Sequence, residues 1–412
     1  MITIHLITFF SKLNKQSSVY KSHETMLSDL EKYFTVKLID SQDTNSLTEK
    51  DFKLVFIATG GVEQLVIQRF EELPQPMILL TDGIQNSLAS ALEISAWMHN
   101  KGLKSEILHG DIQTISQRIL TLHTNFEAQR SLQDKRVGVL GVPSTWLVAS
   151  SVDYLLAKRR WGIEFTDIPL ERVHELFDRI SNDEVKADAA SFNDKALGIR
   201  EASPRDLINA MRLYKAIKQI CKEENLDALT LSCFRIINKL ETTGCLALSL
   251  LNDEGIVAGC EGDLQSIFTL LTINAVTGQT GFMANPVLVN TKTNEIVLAH
   301  CSIGTKMTDQ FIIRNHFESD SGVAIQGILP EGDVTIIKCG GECLDEFFVS
   351  SGTLVENTSY INTCRTQVRV RLDNPADYFL RNPMGNHHIL IQGNYESAMT
   401  DFLLANGCKR IS

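Results

Sequence analysis

Over the first third of the chain, short apolar runs alternate with amphipathic stretches. "ITIHLITFF", "TVKLID", "KLVFIATGG" and "PMILLTDG" are separated by "HETMLSDLEKYF", "VEQLVIQRFEEL" and "NSLASALEISAWMHNKG". Runs this short, with helical spacing between them, predict buried parallel strands joined by helices, an open α/β layer. A second start appears at "DKRVGVLGVP", after the helical "ISQRILTLHTNFEAQRSL". The same texture follows through "WGIEFTDIPL", the helical "PRDLINAMRLYKAIKQICKEENL", the strand "DALTLSCF" and the apolar run "GCLALSLLNDEG", read as a strand. Beyond residue 286 or so the pattern becomes β-branched runs parted by Gly, Asn and Asp turns, as in "PVLVNTKTNEIVLAHCS" and "GVAIQGILPEGDVTIIKCGG". That texture predicts an antiparallel barrel or sandwich, closed by a helix over "YESAMTDFLLANG" with Gly407 as its cap. The expected organisation is two Rossmann-like (flavodoxin-like) α/β domains, 1–130 and 131–285, followed by a β-rich, barrel-like domain, 286–412.

Composition narrows the function without naming it. The 412 residues are 43% hydrophobic and 22% charged, with a net charge of −11, values that suit a sizeable globular core. The acidic balance argues against nucleic acid or an anionic membrane surface as a partner, since both demand clustered Lys and Arg. No apolar run reaches the length of a membrane span and "MITIHLITFF" has no basic leader, so a cytoplasmic location is expected. All nine cysteines fall at or after Cys221, without a C-x-x-C. Buried reduced thiols are therefore expected rather than disulfides, and the Cys339/Cys343 spacing reads as a β turn.

The candidate chemistry centres on "CEGDLQSIFTLL", residues 260–271. Asp and Glu are seldom buried unless paired or metal-bound, yet Glu261 and Asp263 stand at the mouth of an apolar segment. They sit at a strand-to-helix junction, where open α/β sheets place ligands. Asp263 is open to two readings, helix cap or functional carboxylate. Glu261 suits a hard cation or acid–base work. Downstream, His300 closes the strand "EIVLAH", and His387 and His388 precede "ILIQG". Adjacent residues of a strand face opposite sides, so only one of the pair can share a site. "ATGGVEQ" ends a strand in two glycines at a helix start, which exposes N–H groups or simply makes a tight turn. Arg235 follows a strand and Arg365 and Gln367 open another; surface ion pairing is the plainer reading of both arginines.

The order "CEGD", apolar helix, "GFMANP", "LAHCS", "GNHHILIQG" resembles the L-fucose and L-arabinose isomerase superfamily, specifically its short fucose-isomerase-like branch. The resemblance implies a metal-dependent aldose–ketose isomerase that acts on a sugar or modified sugar through an enediol, with manganese or another divalent cation. It implies Glu261, Asn285 and His387 as metal ligands, with His388 as the alternative late ligand, and Glu261 and Asp263 as catalytic carboxylates. It implies His300, His388, Arg235, Arg365, Gln367, Thr59, Gly60 and Glu63 as substrate contacts, and a homo-oligomer, trimer or hexamer. One departure stands out: the family's second carboxylate falls on Asn285, and the arabinose-type position on Ala284. An amide can coordinate a cation but cannot shuttle a proton near neutral pH. Either another carboxylate such as Asp263 substitutes, or the chain performs another divalent-metal reaction on a sugar, epimerisation or aldol cleavage, or it is a carbohydrate-binding or regulatory homologue without turnover.

Overall fold

The computed structural model describes residues 1–13 and 16–412. Contacts divide the chain into two compact units, Met1–Phe126 and Glu127–Ser412. In the first unit, β1 (Ile2–Phe9), β2 (Phe34–Asp40), β3 (Lys53–Ile57), β4 (Met77–Leu80) and β5 (Ser105–Leu108) form an all-parallel sheet in the order β2-β1-β3-β4-β5. This is the flavodoxin-like order, whose direction reverses between β1 and β3. Its strands carry apolar residues on both faces because helices cover both: Leu6, Leu54 and Phe56 pack on one side, Ile7, Val55 and Leu79 on the other.

The second unit opens with a four-stranded parallel sheet, β6 (Arg136–Leu140), β7 (Glu164–Ile168), β8 (Ala228–Leu231) and β9 (Val257–Cys260), ordered β7-β6-β8-β9. The run "GCLALSLLNDEG", expected as a strand, is the helix Cys245–Asp253. A continuous apolar run does not separate buried helix from buried strand by its period, and its Leu and Ala content favours helix. The topology decides: parallel neighbours β8 and β9 need a crossover, and this helix is that crossover.

Next come β10 (Phe282–Asn290), β11 (Glu295–His300), a separate hairpin of β12 (Gln310–Arg314) and β13 (Ala324–Ile328), then β14 (Gly332–Gly340), β15 (Glu346–Asn357), β16 (Thr366–Leu372), β17 (His388–Gln392) and the short β18 (Lys409–Arg410). The order β14-β17-β10-β11-β16-β15 closes antiparallel through a β14–β15 pairing, with β18 added beside the start of β15. The mixed α/β architecture with a closed β-barrel is therefore as the pattern indicated.

Sheet and barrel share one hydrophobic core. The division at residue 285 thus separates two sheets within one compact unit. Helix Leu264–Thr277 is buried from Leu264 through Ile273 and joins the two layers. Over those ten residues it has no solvent face, as expected for a helix inside a core, and its buried polar side chains Ser266, Thr269 and Thr272 are hydrogen-bonded there. Phe268 meets Trp161 at a ring distance of 5.0 Å, and Thr269 Oγ1 accepts from the Cys339 N–H of β14 at 3.0 Å. The helix N-terminus is thereby fixed against the barrel end that carries Asn285, His300 and His387.

Candidate active site

The junction after β9 shows why both carboxylates are where they are. Glu261 has φ +63° and Gly262 φ +71°, left-handed conformations that cost a non-glycine residue about 1 kcal/mol or more and cluster at functional sites. Gly262 is needed on a second count: a Cβ there would lie 2.7 Å from Pro143 Cα. The turn is pinned by the Gly262 N–H to Leu231 O at 3.1 Å and by Ser144 N–H to Glu261 O at 2.9 Å. It sends the Glu261 side chain into the protein, 7% exposed, with Trp146 Nε1 donating to Oε2 at 2.6 Å.

Asp263 takes the helix-cap reading and is in addition paired inside the core. It is the N-cap of helix Leu264–Thr277, accepting from Ser266 N–H at 2.8 Å, and it is wholly buried beside His387 Nδ1 at 2.9 Å. Lys338 Nζ, also wholly buried, lies 3.6 Å away. Burial alone would raise the Asp263 pKa, but Lys338, His387 and the Ser266 N–H together hold it far below the ordinary carboxylate range. It is a fixed anion.

That anion orients His387. With Nδ1 against Asp263, the ring presents Nε2, which is buried and has no hydrogen-bond partner, 3.5 Å from Glu261 Oε1. An orphaned imidazole nitrogen backed by a carboxylate on its other nitrogen is the arrangement of a metal-binding histidine. Burial would lower the His387 pKa, yet Asp263 and Glu261 override it and hold the pKa up. A divalent cation would satisfy the same two carboxylates in place of that proton. Glu261, which burial would push up, is held below its usual value by His387, His300 and Trp146, so it is ionised at neutral pH.

His300 lies across the site, its Nε2 4.0 Å from Glu261 Oε1 and its Nδ1 3.0 Å from Ser302 Oγ. Burial, helped by His387, pushes its pKa down to about 4, leaving it neutral. Among the described residues, Cys260, Glu261 and His300 form a buried group whose donor atoms all lie within 4.8 Å of one another, a possible metal triad. A pocket of about 50 Å³ beside them is also lined by Asn285 and Cys233. That volume suits a cation or a water, whose liquid share is about 30 Å³.

The other expected residues divide. Asn285, paired across β10–β11 with Ala299, lines the pocket, and its Oδ1 accepts from Asn386 Nδ2 at 3.2 Å. His388 points to the opposite side of the strand, as alternation requires, into Phe348, Tyr378 and Phe379, with Tyr378 Oη 3.1 Å from Nε2. Burial and Lys338 press its pKa down to about 3. Gln367 staples the segment before its strand through Tyr360 and Cys364, and Arg365 binds Asn315. Arg235 is exposed. Thr59, Gly60 and Glu63 belong to the first unit, at the β1/β3 switch point, where Thr59 Oγ1 accepts from Ser11 N–H at 2.8 Å and Glu63 from Ser90.

Three further residues belong to the cluster: Cys260, which the sequence alone presents as one more buried reduced thiol, Lys338 and Trp146. Lys338 had a signal, a lone cation in the apolar strand "GDVTIIKCG". Trp146, 115 positions from Glu261, had none.

No family model matches the chain. It is similar to a sulfoquinovose isomerase of Alkalicoccus urumqiensis, 22% identical over 294 residues that cover 66% of each chain. A sulfoquinovose isomerase of Priestia aryabhattai is 20% identical over 65% of this chain and 61% of its own length. A further one, of Clostridium sp. (strain MSTE9), is 29% identical over 117 residues, 28% of this chain and 26% of its own. The chain thus matches about two thirds or less of the length of these relatives. Among solved structures, D-threo-3-hydroxyaspartate dehydratase from Delftia sp. HT23 aligns at a TM-score of 0.14 and 11% identity, too low to carry any inference.

Proposed function

We propose that the chain is a sugar isomerase that interconverts an aldose and a ketose by moving a proton between C1 and C2 at the Glu261 cluster. The observation that carries this reading is the buried, unpartnered His387 Nε2 facing the Glu261 carboxylate. Three relatives named sulfoquinovose isomerase support it and make a sulfonated sugar the first substrate to try.

Glu261 and His387 would hold a divalent cation, manganese or a similar ion, with Asn285 at the pocket wall. When bound, that cation supplies Lewis acidity for the oxygen on which enediolate charge develops. Glu261 carries the proton: it is ionised, and Trp146 fixes one of its oxygens while the other faces the histidines. Asp263 is a positioning residue, since it is wholly buried and already engaged by Ser266, His387 and Lys338. Lys338 keeps it ionised. Neutral His300 turns Nε2 towards Glu261, where it can meet a substrate hydroxyl or the cation itself.

The test is a screen for ketose formation from sulfoquinovose and neutral aldoses by the full chain loaded with manganese. Turnover of one of them, abolished by Glu261→Gln, is expected; no turnover of any aldose by a manganese-retaining protein would overturn the reading. One observation favours a second reading. The Asn285 amide, where the resembled family has a carboxylate, is already held by Asn386, as would suit a homologue that binds a sugar without converting it. That alternative would show sugar and metal binding with no exchange at C2.

A further inference from the structure

The donor set of the cluster carries information about which cation it takes. Cys260, Glu261 and His300 are 5%, 7% and 4% exposed, and their sulfur, oxygen and nitrogen donors all fall within 4.8 Å of one another. In a tetrahedral zinc site, bonds of about 2.0 to 2.3 Å leave neighbouring donors roughly 3.3 to 3.8 Å apart. Closing on an ion therefore needs side-chain movements of an ångström or so. His300 is prepared for this, with Nδ1 on Ser302 Oγ at 3.0 Å and Nε2 turned to Glu261. The sulfur is prepared as well: Cys233 Sγ lies 2.8 Å from Cys260 Sγ, where its S–H can donate to a Cys260 thiolate as an outer partner.

Charge points the same way. A buried divalent cation requires nearly full compensation by its ligands. Asn285 is neutral, Asp263 is matched by Lys338, and the carboxylates that line the pocket are Glu318 and Glu261, the latter facing His387. The Cys260 thiol, which gives up its proton only to a cation, adds a negative charge directly at that cation.

We propose that the cation of this site is a borderline one of the zinc class, bound through the Cys260 sulfur, Glu261 and His300. The inference rests on reading the cluster as a cation site, and it assigns that site's metal class. Sulfur and imidazole select zinc, cobalt or nickel over manganese and magnesium, which favour all-oxygen shells. Binding forms one metal–sulfur bond and releases the Cys260 thiol proton to solvent, with no change of oxidation state. The fourth position stays open, for substrate or for His387 Nε2.

The test uses cobalt(II) as a spectroscopic stand-in for zinc on the intact chain. The expected result is a thiolate-to-cobalt charge-transfer band in the near ultraviolet, lost in Cys260→Ser and kept in Cys245→Ser and Cys301→Ser. Zinc affinity in Cys260→Ser should fall by more than the roughly 10- to 100-fold that outer partners contribute, while manganese affinity changes little. Cys233→Ser and Cys364→Ser, the other thiols of the pocket, should also keep the band, so the set assigns the sulfur even if Cys260→Ser fails to fold. Absence of the band in the native protein, or its loss in Cys245→Ser or Cys301→Ser, would overturn the proposal. Isomerisation with manganese and no sulfur band would sink this inference alone; a sulfur band with no turnover of any sugar would sink only the proposed function.

Discussion

At the scale of residues, the site is a chain of charges, each defined by its neighbour: Lys338 fixes Asp263, Asp263 fixes the His387 ring, and His387 faces Glu261 across 3.5 Å. Removing different links should have different effects. His387→Ala and Glu261→Gln each delete a proposed ligand, and both are expected to lose metal retention in equilibrium dialysis. Lys338→Met should instead destabilise the fold, by up to about 3 to 5 kcal/mol, because it leaves the wholly buried Asp263 carboxylate with only His387 and Ser266 as partners; thermal unfolding checks this. Away from the site, Glu396 provides a pH test. Burial would raise its pKa, but hydrogen bonds from the Ser351 N–H and Oγ, Arg410 and Asn374 hold it down at about 2 against an ordinary 4.5. A depressed carboxylate stabilises fully above its unfolded value and loses that contribution as pH falls towards its folded one, here between 4.5 and about 2. The effect is worth at most about 3 kcal/mol at neutral pH. Glu396→Gln should be less stable at pH 7, with the difference from the native chain shrinking as pH falls from 4.5 and vanishing only below about 2.

At the scale of elements, helix Leu264–Thr277 joins sheet to barrel. Phe268→Ala should cost about 3 to 5 kcal/mol, the usual price of a phenyl-sized cavity in a rigid core. Gly262→Ala should disorder the Glu261 turn, through its positive φ and the clash with Pro143, and so weaken metal binding more than stability. Much of this was readable beforehand. Short apolar runs gave the parallel strands, β-branched texture gave the barrel, and period-2 alternation correctly parted His387 from His388. "GCLALSLLNDEG" misled because an apolar run buried on all sides has no periodic signature. Trp146 and Lys338 were hidden for another reason: each meets its carboxylate across a long sequence separation, 115 positions for Trp146, and only the closed fold brings such partners together.

At the scale of the whole molecule, among the described residues no helix is long and apolar enough to cross a membrane. The segment after β6 leaves Val148 87% and Leu155 79% exposed, close in sequence to half-exposed Trp146. These side chains are the place to probe for the homo-oligomer that the resemblance implies. Sedimentation should show an assembly larger than one chain, and Val148→Asp should shift it towards the monomer; a monomeric native chain at micromolar concentration would count against assembly. The central claim, that a proton moves at a sugar's C2 through Glu261, is tested most directly by proton NMR of sulfoquinovose and L-fucose incubated with the metal-loaded chain in deuterated water. The expected result is loss of the C2 proton signal of one sugar as deuterium enters, at a rate that Glu261→Gln lowers by at least a hundredfold, within the usual range for a general base. Retention of the C2 proton in both sugars, or exchange that Glu261→Gln leaves untouched, would contradict it.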